Sequence, residues 1–264
     1  MLTSPWQRRI QRSHHLANRF AFAAEILRFY EHLAAFQEEL NRRLSAGPAE
    51  LAANGRGELS KASLDLLVPE FREFLQVCEQ YGPARTAELS ADLRARGTDF
   101  HTTLIHTGWA GQSPLDAAGL LAQAFLQPYA ELIRSRAELK VQNYSHAICP
   151  FCDRKPTVGV LRPLGEGAAR SLICAFCLME WEFRRIICAA CGEQDADKLP
   201  VYSAAEFEYI RVECCDTCKI YIKTVDLSKD GHAEPVVDEL ASAPLDLWAR
   251  DHGYAKLQCN LLGL

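Results

Sequence analysis

Eight of the eleven cysteines in this 264-residue chain fall into four Cys-x-x-Cys pairs: Cys149/Cys152, Cys174/Cys177, Cys188/Cys191 and Cys215/Cys218. Thiolates three positions apart can converge from one tight turn, and two such turns complete a tetrahedron of sulfur around a single metal ion. Four pairs therefore specify two sites. In chain order they read C-x2-C-x21-C-x2-C and C-x2-C-x23-C-x2-C. These gaps slightly exceed the usual interval, at little cost, because loop-closure entropy grows only logarithmically with length. Sequential pairing is expected, since it nests no loops: Cys149, Cys152, Cys174 and Cys177 in one site, Cys188, Cys191, Cys215 and Cys218 in the other. An interleaved arrangement would instead join the second pair to the third and the first to the fourth.

Disulfides are the competing use of such pairs. Four of them, spaced as two ribbons in a chain without an export signal, point to metal, because cytosolic thiols are kept reduced. All-sulfur tetrahedral coordination suits zinc and a single iron alike. Four protein ligands leave no open position for a substrate, so such sites build structure or pass single electrons. The chain also has no serine elbow, phosphate-binding glycine loop or HExxH, and is expected not to be an enzyme.

Thiolates gain from backbone N–H donors within the knuckle, which favours a small residue after the second cysteine. Gly192 fits, while Asp153, Leu178 and Lys219 do not, leaving the two sites open to differences in affinity or exposure. Pro150 suits a rigid turn. His146, three residues before Cys149, is superfluous beside eight thiols. Cys78 falls on an apolar helix face as a packing thiol. Cys214 points away from the site that Cys215 enters, as a packing, reserve or redox-sensitive thiol, and Cys259 has no assigned role. Trp181, Tyr209 and Tyr221 flank knuckles as small-core residues rather than a substrate platform.

Short β-branched and aromatic runs must carry these knuckles: residues 157–161, 171–173, 181–187, 201–202, 209–212 and 220–225 suit small hairpins. Each ribbon alone is too small for a core, and a metal would replace it as cross-link. Upstream the pattern is helical. Leu16, Phe20, Ala23, Leu27, Tyr30 and Ala34, with a second row at Ile26, Phe29, Leu33, Phe36 and Leu40, predict one broad-faced helix from Ser13 to about Ser45. Residues 46–61 read as a connection. Further helices are expected from Val68 to Tyr81, Ala84 to Arg96 and Thr98 to Gly108, where His101 and His106 cannot share a face as metal ligands. Ser113 should cap a fifth helix with Pro114 at its first position and Asp116 at its third, running to about Leu139 and kinked by Pro128. A last helical stretch, interrupted by Pro244, spans Pro235 to Arg250. The expected fold is α+β: a helical domain over 1–143, two tandem metal-ribbon modules over 144–186 and 187–228, and a helical C-terminal segment over 229–264.

The formal charge of −5 lies wholly in residues 144–264, and four thiolates per site add more negative charge. Nucleic-acid ribbons present clustered cations, whereas Arg184, Arg185, Lys219 and Lys223 are scattered, so no nucleic-acid partner is expected. Arg8 and Arg9 are followed by no apolar run and read as a solvated helix start in a cytoplasmic protein. No stretch has the length and purity of a membrane span. The long apolar helix permits a homodimer.

Taken together, AFLQPYAELI, CPFCDRKPTVGVL, LICAFCLMEWEFRRIICAACGE, CDTCKIYIKTVD and VVDELASAPLDLWARDHGY resemble the FdhE family of formate dehydrogenase accessory proteins along essentially the whole chain. The resemblance rests on four CxxC pairs in order, with Trp181-Glu182 after the second and Tyr221-Ile222-Lys223 after the fourth. It implies a cytoplasmic assembly factor that binds the catalytic subunit of respiratory formate dehydrogenase during maturation. It also implies rubredoxin-like iron, with zinc as the alternative, on Cys149, Cys152, Cys174, Cys177, Cys188, Cys191, Cys215 and Cys218. The rivals from other classes are a one-electron redox protein and a zinc-ribbon nucleic-acid binder.

Overall fold

The computed structural model describes residues 4–46, 64–111, 116–137, 144–260 and 263. The chain divides into two compact units, one from Met1 to Leu139 and the other from Lys140 to Asn260.

The first unit is helical. It contains α1 (Pro5–Arg19), α2 (Ala24–Ala46), α3 (Val68–Tyr81), α4 (Ala84–Arg94), α5 (Thr98–Ala110) and α6 (Ala117–Arg136). The single helix expected from Ser13 to Ser45 is two. Phe20 turns extended (φ −117°, ψ 93°), a short 3-10 turn covers Ala21–Ala23, and α1 folds back on α2. No glycine or proline marks the break. The Ser13 hydroxyl donates to the Leu27 carbonyl at 2.8 Å, tying the two helices together. The start of α1 is not a solvated one either. Arg9 is buried, donates two hydrogen bonds to Glu131 on α6 at 3.0 and 3.1 Å, and lies over the Trp6 ring.

The core of this unit gathers Phe71, Phe74 and Phe125, with centroids 5.0 to 6.2 Å apart. Asp116, rather than Ser113, caps α6, its carboxylate accepting the Gly119 N–H at 2.8 Å. Ser113 and Pro114 lie outside the described residues, as does nearly all of the connection at 46–61. Pro128 sits inside α6 and has no N–H to give the Ala124 carbonyl four residues back. The buried side chain of Gln37, on α2, donates to that carbonyl at 2.6 Å instead. Fully buried His101 bonds the Leu93 carbonyl, and His106 pairs with Asp65, so neither contributes to a shared site.

The second unit is built on one mixed sheet. Its strands are β1 (Pro156–Leu164), β2 (Gly167–Cys174), β3 (Glu180–Glu182), β4 (Val201–Tyr202), β5 (Ile210–Cys214), β6 (Ile220–Asp226) and β7 (Ala255–Lys256). Their order is β3-β2-β1-β6-β5-β4, with β7 also pairing β6. The run expected as a strand from Trp181 to Ile187 leaves the sheet after Glu182. Sequence patterning gives separate hairpins; the structure fuses them through a parallel β1–β6 pairing, Gly159 opposite Thr224 and Leu161 opposite Asp226. Gly159 makes this possible, because a Cβ there would run into the Thr224 hydroxyl. Arg170 on β2 adds a tie, bonding Glu213 on β5 at 2.5 Å.

Two helices, α7 (Pro235–Ala241) and α8 (Ala243–Asp251), follow the sheet, and α7 packs against β1 and β6. Between helices and strands lies a buried cluster of charge. Lys223, 0% exposed in the middle of β6, reaches the Glu239 carbonyl (2.6 Å), the Glu239 carboxylate (3.0 Å) and Asp246 (2.6 Å). Lys256 bonds Glu239 and Asp246, Tyr221 donates to Asp246, and Asn260 donates to Glu239. The sequence signal for this cluster was a lysine in an apolar strand run, which demands buried partners.

Candidate metal centres

Each cysteine pair sits in the same tight turn. The N–H of the first cysteine donates to the carbonyl five residues on: Cys149 to Arg154 (2.7 Å), Cys174 to Met179 (2.9 Å), Cys188 to Glu193 (2.9 Å) and Cys215 to Ile220 (3.0 Å). The residue after the second cysteine takes the left-handed conformation in all four, with φ of 57° at Asp153, 50° at Leu178, 80° at Gly192 and 57° at Lys219. Among the described residues, Asp153, Leu178 and Lys219 are the only non-glycine residues with positive φ. A non-glycine residue there costs about 1–2 kcal/mol, so three such residues at equivalent positions show that the turn is imposed from outside its own sequence preference. The departures from glycine thus leave the turn itself unchanged. Phe151, Phe176 and Ala190 point their N–H groups at Cys149, Cys174 and Cys188 sulfurs at 3.3 to 3.4 Å.

The sheet brings these turns together in sequential order. The first cluster holds Cys149, Cys152, Cys174 and Cys177, the second Cys188, Cys191, Cys215 and Cys218, with the four sulfurs of each within 4.8 Å of one another. Neighbouring sulfurs are 3.4 to 3.6 Å apart in the first and 3.7 Å in the second. A disulfide needs about 2.05 Å. A tetrahedron with metal–sulfur bonds of about 2.3 Å has edges of about 3.8 Å, so the spacing fits a metal ion. Electrostatics asks for one. Hydrogen bonds from Cys152, Cys174 and Cys177 pull the Cys149 thiol well below its ordinary range, while hydrogen bonding to Cys149, Cys152 and Cys174 pushes Cys177 far up. Four anionic sulfurs in this space need a cation among them.

The other candidates fall outside the clusters. His146 offers its carbonyl to the Trp181 indole N–H at 3.1 Å and packs its ring on Tyr144. Trp181, Tyr209 and Tyr221 are buried, and Tyr209 donates to Asp238. Burial pushes the thiols of both Cys78 and Cys214 up to about 12. Cys214 lines a cavity of about 360 Å³ beside the second cluster, together with Cys188, Cys215, Arg185 and Ile222. Cys259 is half-buried. Among the described residues no helix is long and apolar enough to cross a membrane.

Comparison with known proteins places this architecture. Residues 148–185 match the family described as FdhE, central domain, and residues 186–262 match FdhE, C-terminal domain. A Protein FdhE homolog of Aquifex aeolicus is 26% identical over 259 residues, 94% of this chain and 92% of that protein. A Protein FdhE homolog of Pseudomonas aeruginosa is 35% identical over 131 residues, 46% of this chain and 41% of that protein. The crystal structure of the FdhE protein from Pseudomonas aeruginosa superposes with a TM-score of 0.71 at 27% identity, covering 99% of this chain and 97% of that one. With two cysteine clusters, a helical N-terminal unit, family matches over residues 148–262 and a likeness along nearly its whole length, the chain is similar to proteins of the FdhE family.

Proposed function

We propose that this protein is a cytoplasmic accessory factor for respiratory formate dehydrogenase, binding the catalytic subunit during its maturation without remaining in the finished enzyme. The observation that carries this reading is the coincidence, in one chain, of the FdhE fold over nearly its whole length with two intact four-cysteine clusters. Cys149, Cys152, Cys174 and Cys177 would hold one ion and Cys188, Cys191, Cys215 and Cys218 the other. A bound iron supplies one-electron chemistry, whereas zinc supplies only a cross-link. The chain's own residues fix the turns, donate N–H groups to sulfur and supply four ligands to each ion, which leaves no open position for a substrate.

Copurification of the tagged protein with an immature catalytic subunit, paired with formate dehydrogenase activity in cells lacking the protein, tests this directly. Capture of the subunit and loss of activity restored by re-supply are the expected results. Full activity without the protein, and no capture, would remove the reading. A second reading, delivery of single electrons, is favoured by the exposure of Cys191 at the second cluster. It requires iron and a reversible bleach of the thiolate-to-iron bands in the presence of the subunit.

A further inference from the structure

The two clusters share one turn design but differ in what surrounds them. In the first, Cys149, Cys174 and Cys177 are each 0% exposed and Cys152 is half-buried; of the residues between the ligands, Phe151, Ala175 and Phe176 are buried and Pro150 is half-buried. The Arg154 guanidinium lies 3.9 Å over the Phe176 ring and closes that side further. In the second, the equivalent positions carry Ala190, Asp216 and Thr217, all exposed, and Ala189, half-buried. Cys191 is exposed and Cys218 half-buried, while Cys188 and Cys215 are buried. The cavity of about 360 Å³ also opens beside this cluster, lined by Cys188, Ala189, Ala190 and Cys215.

Release of a metal from four thiolates requires a competing ligand to reach the ion and a sulfur to leave. Hydrophobic cover around a site controls that access. From this contrast we propose that the two sites divide the work: the first is a closed structural site, and the second is an open site that exchanges its divalent ion with external chelating ligands. Cys191 is the ligand that leaves first, because it is the most exposed of the eight residues, ahead of half-buried Cys152 and Cys218. The aromatic side chains of CPFC and CAFC against the small and polar ones of CAAC and CDTC are the sequence signature of this division.

The inference rests on the clusters binding metal, and its test separates the two claims. Protein reconstituted with zinc is first weighed by native mass spectrometry, then exposed to excess EDTA and iodoacetamide while ion loss and cysteine alkylation are followed together. One ion per chain should leave faster by about tenfold or more, the scale on which surroundings alter metal binding. Cys191 and Cys218 should be alkylated in that phase, and Cys149, Cys174 and Cys177 only with loss of the second ion. Cys191→Ser should lack the fast phase and keep the slow one. Two ions leaving at one rate, or Cys149 and Cys174 labelled first, would overturn the division while leaving metal binding intact. A wild-type chain that never takes up two zinc ions would instead remove the metal reading, and the division with it.

Discussion

At the scale of single residues, the left-handed position after each knuckle carries the clearest consequence. Lys219 is exposed and holds φ 57° where its counterpart Gly192 holds 80°. Lys219→Gly relieves about 1–2 kcal/mol of backbone strain and gives back about 0.4–1 kcal/mol as unfolded-chain entropy, so it should leave stability unchanged or slightly raised. Lys219→Val, β-branched at the same φ, should be the less stable of the two by about 1–2 kcal/mol in thermal unfolding of the metal-loaded protein. Equal melting temperatures would show that the turn is not strained. Glu239 offers a second test. Burial alone would raise its carboxyl, but Lys223 and Lys256 outweigh it and hold the pKa down at about 2, against an ordinary 4.5. A depressed folded-state pKa gives stability that is complete above the unfolded value and is lost as pH falls through the folded one. The window here runs from about pH 5 down to about pH 2. The gap in unfolding free energy between wild type and Glu239→Gln should therefore shrink, by about 2 kcal/mol, between pH 7 and pH 3. The ligand spacing was legible because four thiolates must share one ion. That Lys223 needs buried partners could be read from its apolar strand run, but their identity as Glu239, Asp246 and Lys256 could not, because the cluster forms only through the tertiary fold.

At the scale of elements, two buried fits decide which helices and strands meet. Gln37 replaces the N–H that Pro128 cannot offer to the Ala124 carbonyl. Gln37→Leu should cost about 1–3 kcal/mol by leaving that carbonyl unpaired in the core. Adding Pro128→Ala, which restores a main-chain donor, should recover much of the loss; additive effects of the two changes in chemical denaturation would contradict the pairing. In the sheet, Gly159→Ala should cost about 1–3 kcal/mol through collision with Thr224, and Thr224→Ala should relieve it, since the Thr224 hydroxyl is buried without a hydrogen-bond partner. Helix α3 was legible because Pro69 and Gly82-Pro83 punctuate it. The break at Phe20 was not, since nothing in the local sequence interrupts the apolar rows. The β1–β6 pairing was equally hidden, being a parallel contact between strands more than fifty residues apart that no hairpin signal announces.

At the scale of the whole molecule, the second unit couples both cysteine clusters to one sheet and one set of helices. The ribbons therefore do not depend on metal alone, as two isolated knuckle modules would. Apo protein should keep part of its β structure by circular dichroism while losing thermal stability, and the loss should be reversed by added metal. The parts of the molecule that sequence could foresee are those set by local chemistry: the knuckles, the helical periodicity and the acidic second half. What it could not foresee is the shared sheet and the unequal cover of the two clusters, both products of long-range packing. The most direct test is the metal-to-chain ratio, with an absorption spectrum, of protein purified without oxygen. Two iron or zinc ions per chain, falling to one in Cys149→Ser and to one in Cys188→Ser, is the predicted result. A wild-type chain that is folded, reduced and free of metal would contradict it.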